Sequence, residues 1–261
     1  MPLKTPYLSV LIPALNEGRT LHTVIDAVLA VDVPLELILV DDGSTDDTWK
    51  LMQARADGVR VRAFQHATNQ GKGAAIRTAL REARGEVVII QDADLEYNPD
   101  DYARLIEPIQ LGKATVVYGS RAFASHTAYS FWYVMGNRLV TLATNLVYNV
   151  YLSDMETGYK VLPRELALSL DLEARGFELE PEITAKVLRL GYRIFEVPVE
   201  YTARSRAEGK KLTPKDGLKA IVALARYRGW RPQAQLRGLP ISLPVRERKP
   251  AAAQAEVRQT V

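Results

Sequence analysis

Five short apolar segments with room for a helix between each pair constrain this chain more than any other feature. They run Leu8–Ile12, Leu35–Val40, Val59–Phe64, Glu86–Ile90 and Thr115–Tyr118. The first, second and fourth are almost continuously apolar, which suits strands buried on both faces of a parallel sheet. Helices are predicted from about Glu17 to Ala30, from near Thr45, from near Gly71 and from Pro99. Strand and helix in strict alternation predict an α/β fold with a mostly parallel central sheet and helices on both faces.

The second half is read less directly. Ala122–Ser130 has no period and reads as a loop. Val134–Tyr151 carries Met135, Leu139, Leu142, Ala143, Leu146, Val147 and Val150 at helical spacing. Asn137, Arg138, Asn145 and Asn149 break it up, so a membrane span is not expected and a core helix is. Pro181–Leu190 predicts a helix, Arg193–Val197 a strand, Ala203–Lys211 a basic loop and Pro214–Tyr227 an amphipathic helix. One domain is expected over 1–228, followed by a tail over 229–261.

Charge divides along the same line. Residues 226–261 hold seven Arg and one Lys against two Glu, a net +6, which leaves the body at −3 although the whole chain is +3. A basic tail without aromatic interleaving does not predict nucleic-acid recognition. The absence of cysteine excludes disulfides, thiolate metal sites and thiol nucleophiles. The N-terminus lacks the layout of a signal peptide, so a cytoplasmic location is expected.

The candidate chemistry falls at strand ends. Asp92-Ala93-Asp94, with Glu96 close behind, follows the fourth strand. Ligands of open α/β sheets bind beyond the carboxyl ends of the strands. Carboxylates crowded there suit a hard divalent cation, Mg²⁺ or Mn²⁺, shared with phosphate oxygens. Asp41-Asp42-Gly43-Ser44 follows the second strand, and Asp42 is a candidate acceptor for a base or a ribose hydroxyl, while Ser44 or Thr45 caps the next helix. Pro13-Ala14-Leu15-Asn16-Glu17 ends the first strand, and Gly71-Lys72-Gly73 opens a helix able to offer N–H groups and an ammonium to phosphate. The latter is neither a Walker A loop nor a dinucleotide fingerprint. Gly119-Ser120-Arg121 ends the fifth strand, where an Arg is suited to two-point contact with phosphate.

In order along the chain, Pro13…Asn16-Glu17, Asp41-Asp42-Gly43-Ser44, Gly71-Lys72-Gly73, Asp92-Ala93-Asp94, Gly119-Ser120-Arg121 and Asp154…Thr157-Gly158-Tyr159-Lys160 resemble the family 2 glycosyltransferases. The nearest type is the dolichol-phosphate mannose synthase and polyprenyl-phosphate glycosyltransferase group. The resemblance spans about residues 7–228 and implies a GT-A fold, a nucleotide-sugar donor such as GDP-mannose or UDP-glucose, and inversion at the anomeric carbon. It implies that Pro13, Leu15, Glu17, Val40 and Asp42 line the nucleoside pocket. Asp92 and Asp94 would hold the metal and diphosphate with help from Glu96, Ala93 would line the nucleotide-sugar site between them, and Lys72 would serve the phosphates. Arg121 would face the acceptor or diphosphate. Arg204 and Lys210 or Lys211 would match a basic loop over the donor, although the Arg-to-Lys spacing is one residue longer here.

A polyprenyl-phosphate acceptor would require peripheral contact with the cytoplasmic membrane face. The 134–151 helix, the 214–227 helix with Trp230 and the basic tail are its expected surfaces. An anionic acceptor needs no base, whereas a hydroxyl acceptor does, with Asp154 the first candidate and Glu156 and Glu180 behind it. The rival readings are a sugar-phosphate nucleotidyltransferase and a nucleotide-sugar sensor without turnover.

Overall fold

The computed structural model describes residues 6–122, 126–127, 131–204 and 214–231. Its elements are β1 (Leu8–Ala14), α1 (Leu21–Ala30), β2 (Leu35–Asp41), α2 (Thr48–Arg55), β3 (Val61–Gln65), α3 (Lys72–Glu82), β4 (Val87–Ile90), α4 (Tyr102–Gln110), β5 (Val116–Ser120), β6 (His126–Thr127), α5 (Phe131–Tyr148), β7 (Lys160–Pro163), α6 (Arg164–Ser169), α7 (Leu179–Arg189), β8 (Ile194–Pro198), β9 (Tyr201–Thr202) and α8 (Pro214–Arg228).

Seven strands form the main sheet in the order β3-β2-β1-β4-β7-β5-β8. β7 is antiparallel to both neighbours, and every other pairing is parallel. The expected α/β architecture is therefore the one observed. Alternating side chains explain why the strands read as continuous apolar runs. Leu8, Val10 and Ile12 of β1, with Val87 and Ile89 of β4, join α1, α2 and α4 in one core layer. Leu11, Val88 and Ile90 join α3, α6 and α7 in the other.

β7 was not foreseen. It is four residues long and ends on Pro163, too short to declare a period. Its reversed direction has a topological effect: the residues that precede it, 154–159, reach the same sheet rim as the residues that follow the parallel strands. In the segment expected to be a loop, β6 pairs with β9, Thr127 opposite Thr202.

The larger correction concerns α5. Its apolar stripe does not face the core: Leu139, Leu142 and Leu146 are 59%, 52% and 75% exposed, and Phe131 and Trp132 are exposed as well. The inward face is mainly polar, with Val140 buried among Leu152, Met155, Ala220 and Leu224. Asn137 Nδ2 donates to Asp154 at 3.0 Å, Thr141 Oγ1 accepts from the Met155 amide at 3.2 Å, and Asn145 bonds both the amide and the carbonyl of Leu152. Helical periodicity reports that a helix has two faces and is silent on which one meets the body. α8 packs beside α5 through Ala220 and Leu224 and leaves Leu218 and Val222 exposed. Trp230 packs partly buried near Tyr227, whereas the tail beyond 231 lies outside the described residues.

Candidate active site

At the carboxyl rim of the sheet the strand-end loops enclose a cleft of about 310 Å³. Two of its loops are stapled together. The Asn16 amide donates to Ser44 Oγ at 2.9 Å, and Asn16 Oδ1 accepts from the Thr45 amide at 2.8 Å. Ser44 and Thr45 are thus spent on the neighbouring loop, and Asp46 stabilises the opening of α2 by accepting from Thr48. Asn16 carries a φ of 56°, a left-handed conformation that asparagine tolerates.

Asp42 lines the cleft but is already employed. It is buried and accepts from His66 Nδ1 at 2.7 Å, the Gln70 amide at 3.0 Å and the Gly71 amide at 2.7 Å. Its carboxylate therefore shapes the turn that opens α3. Gly71 adopts a φ of 95°, and a Cβ there would lie 2.2 Å from the Arg175 carbonyl oxygen, so the turn has room for no other residue. Pro13, Leu15 and Glu17 line the cleft near Asp42. Val40 does not: it is fully buried, packed with Ala75 and Ile76. Its place on the helix-facing side of β2 removes it from the pocket the resemblance implied.

The centre of the cleft is a set of carboxylates held by side-chain cations. Lys72 Nζ bridges Asp92 at 2.8 Å and Glu180 at 3.0 Å. Burial opposes its charge, but Asp92 and Glu180 outweigh burial and hold Lys72 well above the ordinary lysine range. Arg204 bridges Glu17 at 3.2 Å and Asp94 at 3.0 Å. Asp94 still titrates high, at about 7, because it is buried and is repelled by Asp92 and Glu96. Ala93 sits between the two carboxylates, and its carbonyl accepts from Thr20 Oγ1 at 2.7 Å, which ties the start of α1 to this turn.

Two neighbouring carboxylates, one of them still held high despite its pairing with Arg204, are a donor set that fits a small hard cation. Asp92 and Asp94 would hold it. Glu96 does not complete a triad. Its oxygens accept from Tyr201 Oη at 2.7 Å and the Arg204 amide at 2.9 Å, so it anchors the 201–204 segment. Among the described residues no three carboxylates or imidazoles converge on one point.

Arg121 and Asp154 form a two-point pair, with Nε to Oδ2 at 2.6 Å and Nη2 to Oδ1 at 2.8 Å. The Arg121 amide and Asn137 add two more donors to the same carboxylate. Burial would raise Asp154, but Arg121 overrides it and holds the carboxyl below its ordinary value. A carboxylate so stabilised is a poor proton acceptor, which counts against the base role expected of Asp154. The Arg121 guanidinium also lies 5.0 Å from the centroid of the Tyr201 ring.

Of the other anticipated residues, Glu156 and Glu180 line the cleft, while Lys210 and Lys211 lie outside the described residues. Sequence reasoning missed Tyr97, Phe177 and Tyr201, which line it too. Tyr97 stacks on Tyr159 at 4.4 Å, and its hydroxyl accepts from the Gly158 amide at 2.8 Å. An aromatic residue in a glycine-bearing loop, such as Gly176-Phe177, was the one available signal.

This geometry has relatives. A model of glycosyl transferase family 2 matches residues 9–168. Polyprenol monophosphomannose synthase of Mycolicibacterium smegmatis is 29% identical over 77% of this chain and 79% of its own length. Dolichol-phosphate mannosyltransferase of Pyrococcus furiosus is 28% identical over 78% of this chain and 58% of its own length. A solved structure of glucosyl-3-phosphoglycerate synthase from Mycobacterium tuberculosis, in complex with Mn²⁺, UDP and phosphoglyceric acid, superposes with a TM-score of 0.65. It is 26% identical and covers 86% of this chain and 79% of that one. The glycosyltransferase reading stands over the nucleotidyltransferase rival. With more than half of its length matched by the family model, the chain belongs to glycosyl transferase family 2.

Proposed function

We propose that this chain transfers a hexose from a nucleotide-diphosphate sugar, GDP-mannose or UDP-glucose, to a polyprenyl or dolichyl phosphate at the cytoplasmic membrane face. The observation that carries the reading is the union, in one cleft, of a carboxylate pair suited to a metal–diphosphate and a rigidly held Arg121 suited to a phosphate. The names of the relatives, which include enzymes acting on polyprenol and dolichol phosphates, support the same acceptor class.

Pro13, Leu15 and Glu17 would receive the nucleoside, beside the turn that Asp42 holds. Asp92 and Asp94 would hold Mg²⁺ or Mn²⁺, which when bound neutralises charge gathering on the departing diphosphate. Lys72 and Arg204, now paired with those carboxylates, become available to the phosphates. Arg121 would orient an acceptor oxygen for attack on the anomeric carbon from the face opposite the leaving group. An acceptor phosphate is already anionic, which accords with the weak basicity of Asp154. Lys210 and Lys211 remain candidates for covering the donor.

The outer face of α5 supports a peripheral approach to lipid. Trp132, Leu139, Leu142 and Leu146 of α5 and Leu218 and Val222 of α8 are exposed on two helices that pack side by side, and Arg138 and Lys219 are exposed on the same helices. No helix among the described residues is long and apolar enough to cross a membrane. The test is product detection by mass spectrometry with each donor, a short-chain polyprenyl phosphate and Mn²⁺. Transfer should fall at least about 100-fold in Asp94→Asn. Full activity in that variant, or transfer only to a hydroxyl acceptor, sinks the reading.

A further inference from the structure

One enclosed charge pair is used by no step of the proposed transfer. Glu182 and Lys186 of α7 meet at 2.7 Å, and neither side chain is exposed at all. Charges taken out of water are often no more stable than an apolar pair of the same volume, so packing alone does not account for them. Their hydrogen bonds show where their use lies. Glu182 accepts from the amides of Glu173 and Ala174, both at 2.8 Å, and Lys186 Nζ donates to the Asp171 carbonyl at 2.7 Å. Three directed bonds thus fix the backbone of 171–174, where Asp171 holds a left-handed φ of 46°.

The far side of that segment abuts the donor cleft. The Gly73 amide donates to the Arg175 carbonyl at 2.7 Å, and Arg77 donates to the Ala174 carbonyl. A Cβ on Gly73 would lie 2.2 Å from the Ala174 carbonyl oxygen, so the two backbones touch with no side chain between them. Lys72 stands between Gly71 and Gly73, and its ammonium is the one that reaches Asp92. A shift of 171–175 therefore carries the opening of α3 and the reach of Lys72 with it.

The near side faces α8. Lys186 Nζ lies 5.0 Å from the centroid of the Tyr227 ring and 5.3 Å from that of Trp230. Arg189, one turn along α7, donates to the Trp230 carbonyl at 3.2 Å, and Arg226 donates to Glu173 at 3.1 Å. The aromatic end of α8 closes over the ammonium, although no described residue of α8 lines the cleft.

We infer that Glu182 and Lys186 are positioning residues for Lys72, and that through them the seating of α8 sets the affinity of the cleft for a nucleoside diphosphate. The inference rests on the nucleotide-sugar reading above and deepens it. It adds a route by which a helix that touches no donor regulates donor binding.

Calorimetric titration of the full chain with Mn²⁺ and GDP or UDP, paired with transfer assays, tests this. Trp230→Ala and Lys186→Met should each weaken nucleoside diphosphate binding about fivefold or more, the low end of coupling between separate sites. KM for the nucleotide sugar should rise in step while kcat at saturating donor stays within about twofold, the pattern of lost uniform binding. Trp230→Phe keeps an aromatic face for the ammonium and should recover most of the loss. Ile25→Ala is the control for general loosening: it sits in the opposite core layer and should bind nucleoside diphosphate within about twofold of wild type. Unchanged affinity in a folded Trp230→Ala overturns the inference, whether or not Lys186→Met folds, as does a Trp230→Phe no better than Trp230→Ala. An equal loss in Ile25→Ala overturns it too, because the pair would then act only through overall stability. A wild type that binds neither GDP nor UDP would instead bring down the donor reading itself, and this inference with it.

Discussion

Helices α1 and α5 read alike in sequence and sit in opposite ways. In α1, Leu21, Val24, Ile25 and Val28 are at most 1% exposed against the sheet. In α5 the equivalent stripe of Leu139, Leu142 and Leu146 faces outward, and apart from the buried Val140 the helix is held by amides and hydroxyls reaching the 152–155 segment. Burying a leucine contributes about 1.5–3 kcal/mol, so α5 forgoes several kcal/mol that α1 collects. A face that gives up that much while remaining apolar is set aside for something other than the core. The difference teaches that attachment by burial and attachment by directional polar contacts leave very different surfaces behind.

The comparison breaks most readily at Asp154, where the polar attachment is anchored. Asp154→Ala leaves Arg121 buried and unpaired, and urea unfolding should show a loss of about 3–5 kcal/mol. The pH dependence has a definite sign. The folded-state carboxyl titrates below 3.8, so its stabilisation is complete above that value and disappears as pH falls through the depressed one. Melting in acid should therefore narrow the gap between wild type and Asp154→Ala.

On the buried side, Ile25→Ala should cost about 2–4 kcal/mol by the same measurement, since its side chain is fully enclosed. Asn137→Ala removes one donor from a charged acceptor and should cost about 1.5–3 kcal/mol, with a weaker hold on Arg121 visible as a raised KM for a phosphate acceptor. The smallest change is expected on the outer face. Leu142→Ser with Leu146→Ser should alter unfolding by no more than about 0.5 kcal/mol per site while reducing co-sedimentation with anionic liposomes. A large loss of stability in that double variant would erase the contrast between the two helices.

Much of this was legible before any coordinates. The strands of the first half announced themselves because a sheet covered on both sides needs apolar residues at consecutive positions. The carboxylates at their ends were legible because open sheets collect ligands at that rim. What failed did so for local reasons. β7 is too short to show a period. Val40 shares its strand with Asp41 and looked like a neighbour of the pocket, but alternation turned it toward α3. Glu96 followed the acidic pair in sequence, and the turn at Leu95, with a φ of 62°, sends it toward Tyr201 and Arg204. Glu156 and Glu180, 24 positions apart, could be suspected singly, but only folding brings them to one cleft.

The inward amide of Asn137 has a metric consequence. It rides on a rigid helix and ends on the carboxylate that clasps Arg121, so the guanidinium stands at a fixed height relative to the helix axis. Each residue step along that helix turns the side chain by about 100° and lifts it about 1.5 Å. A bilayer lying along the outer leucines would define a plane, and Arg121 would then meet headgroups at one depth only. The helix is, in effect, a gauge: moving the asparagine by a single position would turn its amide away from Asp154 and release the guanidinium from that fixed height.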